Sequence, residues 1–156
     1  MATDQEKILH RARLWGLVAI GMTQGIWDMV EESATSLSPS IGETILGELE
    51  RQLGLEIAGE KPEDLLVELG RIFVDEYGYA SEAKVEHTDK IIRVCMVNAL
   101  GMPEWANLQD HGVEKLFSQP YLCTGLAALA RSGIKARGKV ELDKAAKIQI
   151  VTFELL

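Results

Sequence analysis

The sequence predicts an α+β fold: three N-terminal helices, a β-hairpin, a further helix and a C-terminal β-hairpin, forming an antiparallel sheet packed on helices. Three observations carry this. Apolar residues recur at three and four through the first half, the period falls to two at Ala83 and again at Ile134, and Gly or Pro stands near each change. With 156 residues, 47% of them hydrophobic and 26% charged, residues 1–156 are expected to form one domain.

The first helix is expected from Thr3 or Asp4, where a capping residue precedes Glu6, to about Glu32. Ile8, Trp15, Met22 and Met29 recur every seven residues beside Ala12, Ala19 and Ile26, while Leu14, Leu17, Val18 and Ile20 lie outside that stripe. A helix this apolar all round needs cover on more than one side, either as the central helix of the domain or against a second subunit. Gly16, Gly21 and Gly25 each cost roughly 1 kcal/mol relative to Ala, so they mark close backbone approach or open space, with close packing favoured.

Ser33 to Ser40 reads as a connection. Pro39 fits the first turn of a second helix reaching Leu53, with Ile41, Ile45, Leu49 and Leu53 on one face and Gly54 as terminator. Pro62, Glu63 and Asp64 open a third helix with acid at its positive end; Leu65, Leu66, Leu69, Ile72, Phe73 and Tyr77 form its apolar face and Gly78 ends it. A two-residue turn at Thr88-Asp89 would set Val85 opposite Ile92 and Ala83 opposite Val94. Gly101 and Pro103 break that hairpin, and an irregular segment or short helix with Trp105 and Phe117 leads to a helix from about Gln119 to Arg131, closed by Gly133. Ile134, Ala136, Gly138 and Val140 then alternate with Lys135, Arg137, Lys139 and Glu141, and Ile148 to Leu155 returns.

A net charge of −8 leaves no field to hold a polyanion, so nucleic acid is not an expected partner. The start is charged and lacks a signal-peptide core, and the longest apolar run, Leu14 to Met22, is too short to span a bilayer. The expected location is the cytoplasm, with Cys95 and Cys123 as reduced thiols buried as small hydrophobes. Cys95, Cys123, His87 and His111 are the candidate metal ligands, but their spacings match no zinc pattern, and no cofactor is expected. Cys123, in the first turn of a helix whose dipole favours a thiolate, is the candidate catalytic residue. No G-x-S-x-G, G-x-G-x-x-G, Walker or H-E-x-x-H pattern occurs. The bases of the last quarter read as a solvated edge with protective lysines or as an anion patch, and His10 and His111 as surface residues.

The segments PEDLLVELGRIFVDEYGYASEAKVEHTDKIIRVCMVNA and PYLCTGLAALARSGIKARGKVELDKAAKIQIVTFEL, with the element order, resemble the 4-vinyl reductase domain family. These small-molecule-binding domains, also described as hydrocarbon-binding, are akin in fold to subunits of the transport-protein-particle (TRAPP) vesicle-tethering complex. The family's helix with a leading Cys and a following Gly, and its strand ending in Glu, have Cys123, Gly125 and Glu141 in their places. Many members carry two further cysteines around the final turn, where this chain has Asp143 to Lys147, so the resemblance does not extend to their thiol cluster.

The resemblance implies an antiparallel sheet backed by helices, often dimeric, enclosing an apolar pocket. The expected function is a non-catalytic, homodimeric binding or sensor domain, paired through its first helix, for a small apolar or amphipathic molecule held between that helix and the sheet. Trp15, Met22, Trp27, Phe73 and Tyr77 are the expected pocket walls. The alternatives are a structural adaptor that forms a homodimer or docks a protein through its first helix, and a small thiol-dependent hydrolase with Cys123 as nucleophile and His111 or His87 as base.

Overall fold

The computed structural model describes all residues 1–156. Helix α1 runs from Asp4 to Val30. Thr3 and Glu6 form a reciprocal cap: the Glu6 amide donates to the Thr3 hydroxyl at 3.3 Å, and the Thr3 amide donates to the Glu6 carboxylate at 2.7 Å. The connection expected after α1 is a 3₁₀ helix, Glu31–Leu37, in which Thr35 and Ser36 return their hydroxyls to the carbonyls of Glu32 and Ser33.

Helix α2, Ser38–Leu53, has Pro39 in its first turn, and Gly54 ends it at φ +65°, a left-handed conformation that a side chain would strain. Its buried centre is Gly42, Leu46 and Leu49, with Ile45 and Leu53 at the margins. Helix α3, Pro62–Arg71, passes into a π-turn, Ile72–Glu76. Strands β1 (Glu82–Thr88) and β2 (Ile91–Val97) follow, then helices α4 (Met102–Asp110) and α5 (Pro120–Arg131) and strands β3 (Ala136–Asp143) and β4 (Ile148–Leu155).

The first hairpin turns one residue later than expected. Val85 faces Val94 and Ala83 faces Met96, with Asp89 and Lys90 in the turn. Asp89 takes φ +51°, which an aspartate tolerates and a β-branched Thr88 would resist. The register moves by two places, so every side chain keeps its expected face.

The sheet is antiparallel in the order β1-β2-β4-β3. Ile92, Val94, Met96, Val151 and Phe153 line its inner face, where they form the main core with Leu65, Leu66, Leu69 and Ile72 of α3 and its π-turn and with Tyr121 and Leu129 of α5. Helix α2 packs on α5. A Cβ on Gly42 would lie inside the Cys123 carbonyl group, so the two helix backbones are in direct contact there.

A second cluster joins Trp27 and Ala34 to Trp105, Leu108, Val113, Leu116 and Phe117. Two expectations fail around α1. It is not the central helix: only Thr23 and Trp27 are buried, Ile20, Gln24 and Ile26 are partly so, and every residue from Asp4 to Ala19 is exposed. Gly16, Gly21 and Gly25 face open space, with nothing within 4 Å of the position a Cβ would take, so close packing within the chain does not explain them.

Candidate functional site

Cys123 is fully buried where α5 begins. Its thiol donates to the Phe117 carbonyl at 3.0 Å, and the Ser38 hydroxyl donates to the same oxygen at 2.6 Å. The position near a helix N-terminus suggested a stabilised thiolate, but burial wins and pushes the thiol up to about 12. A dipole contribution of about 0.3–1 kcal/mol is small beside desolvation in a dry site. Neither expected base is hydrogen-bonded to the thiol. His111 bonds the Asn107 carbonyl at 2.8 Å on the surface, and His87 lies 3.3 Å from Glu63 and 2.8 Å from the Asp89 carbonyl.

Cys95 is half-buried on the outer face of β2. The candidate ligands Cys95, Cys123, His87 and His111 are not brought together, and no group of three or more His, Cys, Asp or Glu side chains converges on a common point. The bases Arg137 and Lys139 are exposed along edge strand β3, with Lys135 just before it, and acids are interleaved with them: Arg137 stands opposite Glu154 in the strand register, and Lys139 lies 3.6 Å from Glu141.

The five expected pocket walls also lie apart. Trp27 stacks on Phe117 in the second cluster, whereas Phe73 meets Tyr79 and Tyr121 edge-on in the main core. Tyr77 is partly exposed and donates to Gln52 Oε1 at 2.8 Å. Trp15 and Met22 stand on α1, 75% and 61% exposed. Two glycines that could have opened space beneath the sheet are themselves filled against: a Cβ on Gly125 would overlap Phe153, and one on Gly138 would overlap Leu122.

A buried polar cluster escaped the sequence reading. Gln119 accepts from the Leu122 amide to cap α5, and its amide donates to Tyr79 Oη at 3.0 Å and Gln149 Oε1 at 2.7 Å. Burial pushes the Tyr79 phenol up to about 12. Gln149 Nε2 has no partner. The available signals were Gln119 directly before Pro120 and a glutamine at an inward position of an otherwise apolar strand.

The largest unpartnered feature is α1. Ile8, Leu9, Leu14, Trp15, Leu17 and Val18 are all exposed on a segment where no neighbour covers any face. Where α1 rejoins the body, Asp28, Glu31, Glu32 and Glu114 surround an open cleft of about 410 Å³ bordered by Trp27 and His111. Lys115 pairs with Glu32 and holds that carboxyl below its ordinary range. No helix is long and apolar enough to cross a membrane.

No protein-family model matches the chain, and no curated protein sequence matches it. Among solved structures it is similar to trafficking protein particle complex subunit 3 from Naegleria fowleri, covalently bound to palmitic acid. The TM-score is 0.59 over 90% of this chain and 93% of that one, at 12% sequence identity. The chain therefore has a TRAPP-like fold.

Proposed function

We propose that this chain is a non-catalytic binding and assembly module in which α1 docks a protein surface, a second copy of the chain being the partner. One observation carries the reading: the whole segment from Asp4 to Ala19 is exposed although it carries six large apolar residues. Burying each of them is worth about 1.5–3 kcal/mol, and so many large exposed apolar side chains on one segment mark an interaction site. The similar structure bears the name of a complex subunit, which supports an assembly role. Kinship with 4-vinyl reductase domains and a cytoplasmic location belong to the same proposal; the element order supports the first.

The test is sedimentation velocity on the full chain and on a Trp15→Glu/Val18→Glu variant, which removes apolar surface without touching either core cluster. The wild-type chain is expected to associate and the variant to sediment as a folded monomer. A wild-type chain that sediments as a monomer at every concentration, with the variant's solubility, would refute the reading.

Binding of an apolar molecule is a second reading, supported by the palmitic acid in the similar structure. A thioester at Cys123 is disfavoured by its burial and raised pKa. A palmitate-induced rise in Tm that Trp15→Glu abolishes would favour non-covalent binding on α1; no shift would count against it.

A further inference from the structure

Arg11, Leu14, Val18, Gly21, Gly25 and Asp28 follow one another at spacings of three, four, three, four and three, so they share one face of α1. Reversing the helix about the midpoint between Ala19 and Ile20 maps this stripe onto itself: Arg11 falls level with Asp28, Leu14 with Gly25 and Val18 with Gly21. From this we infer that two copies of the chain pair their α1 helices antiparallel across a two-fold axis, each copy's Leu14 and Val18 seated over its partner's two glycines. This inference rests on the reading of α1 as an assembly element and adds its orientation, register and residues.

Three features of the isolated chain support the pairing. Gly21 and Gly25 are open, so they leave room for a leucine and a valine from another helix, and their cost in helix propensity goes otherwise unexplained. Arg11 and Asp28 form no ion pair within the chain, although Gln24 Nε2 donates to Asp28 at 2.8 Å. The last turn of α1 has no basic residue and Glu31 follows it, whereas Arg11 and Arg13 lie in its first half, past the acidic first turn of Asp4 and Glu6. An antiparallel partner brings its bases to that negative end, while a parallel partner brings acid to acid.

The adjacent row of Ile8, Trp15 and Met22 gives no such selection. It continues to Met29 and carries no charge at either end, and Ile26 beside it already packs against the second cluster. The pairing is isologous, so it closes at two copies.

Cross-linking tests the inference in the full chain with Cys95→Ser as background, Cys123 being buried. A Leu14→Cys/Gly25→Cys variant should oxidise to a covalent dimer, and neither single variant should do so. Self-cross-linking by either single variant would mean parallel pairing and overturn the inference. At low salt, Arg11→Glu or Asp28→Arg should each raise the dimer dissociation constant about tenfold or more, because each change acts twice per dimer, and the two together should restore it. Association that Trp15→Glu/Val18→Glu abolishes but that neither Arg11→Glu nor Asp28→Arg alone weakens would overturn this pairing and keep α1 as the docking element. A chain monomeric under all conditions would overturn both.

Discussion

Replacing glycine by alanine at two positions of one helix separates helix propensity from packing. Gly42 and Gly47 both lie inside α2, but Gly47 is exposed with nothing within 4 Å of its would-be Cβ, whereas a Cβ at Gly42 would meet the carbonyl carbon and oxygen of Cys123 and the amide nitrogen of Thr124. Gly47→Ala should therefore gain the intrinsic difference, about 0.5–1 kcal/mol. At Gly42 the same gain is opposed by a backbone clash that no side-chain rotation relieves, so α2 and α5 must move apart and loosen the contact between them. Overpacking of a core side chain costs about 1–3 kcal/mol, and a backbone obstruction belongs at or above the top of that range. The expected net loss is about 2–3 kcal/mol, or roughly 5–10 °C in Tm for a chain of this length. Urea unfolding followed by circular dichroism reads both variants against the wild-type chain. A Gly42→Ala protein as stable as Gly47→Ala would refute the account of the α2–α5 contact.

Three further outcomes follow, two from buried groups and one from an ion pair. Burial raises the Cys123 thiol from its ordinary value near 9 to about 12 and the Tyr79 phenol from near 10 to about 12. The native state thus holds these protons more tightly than the unfolded chain, and stability should be full below pH 9 and fall between about pH 9 and 12, with Cys123→Ala flattening the start of that decline in pH-dependent urea midpoints. Arg131 ties α5 to α2 through Glu43 at 2.8 Å and through Glu50, whose other oxygen accepts from the Ile57 amide at 2.9 Å; Arg131→Met should cost about 1–2 kcal/mol, measured the same way. Gln119→Leu removes the α5 cap and leaves Tyr79 and Gln149 short of partners, a loss of about 2–3 kcal/mol, whereas Gln149→Met, which removes the oxygen that accepts from Gln119 and Tyr79 but keeps the α5 cap and deletes an unpartnered amide nitrogen, should cost less in thermal unfolding.

The elements were legible because their signals are local. Thr3 with Glu6 caps α1, Pro39 and Gly54 bracket α2, and Gln119-Pro120 opens α5, each within one turn of chain. The hairpin faces survived an error in the turn because a two-place slip preserves alternation. The five residues expected to wall a pocket lie on different elements for the opposite reason. Trp15, Met22, Trp27, Phe73 and Tyr77 were grouped by size and apolar character, and periodicity does not say against which element a given apolar face will pack.

By itself the sequence determined the order and type of the elements, the antiparallel hairpins and the surplus of apolar residues on the first helix. Backbone propensity, capping and the periods of 2 and 3.6 act between near neighbours. Only the tertiary structure decided where that surplus goes. Thr23 and Trp27 are drawn into the cluster around Trp105 and Phe117, and the preceding turns run clear of the body, so Trp15 and Val18 face outward. It also decided that Cys123 is a buried neutral thiol rather than a nucleophile, since desolvation depends on what α2 and the Phe117 segment place around it and not on its position in α5.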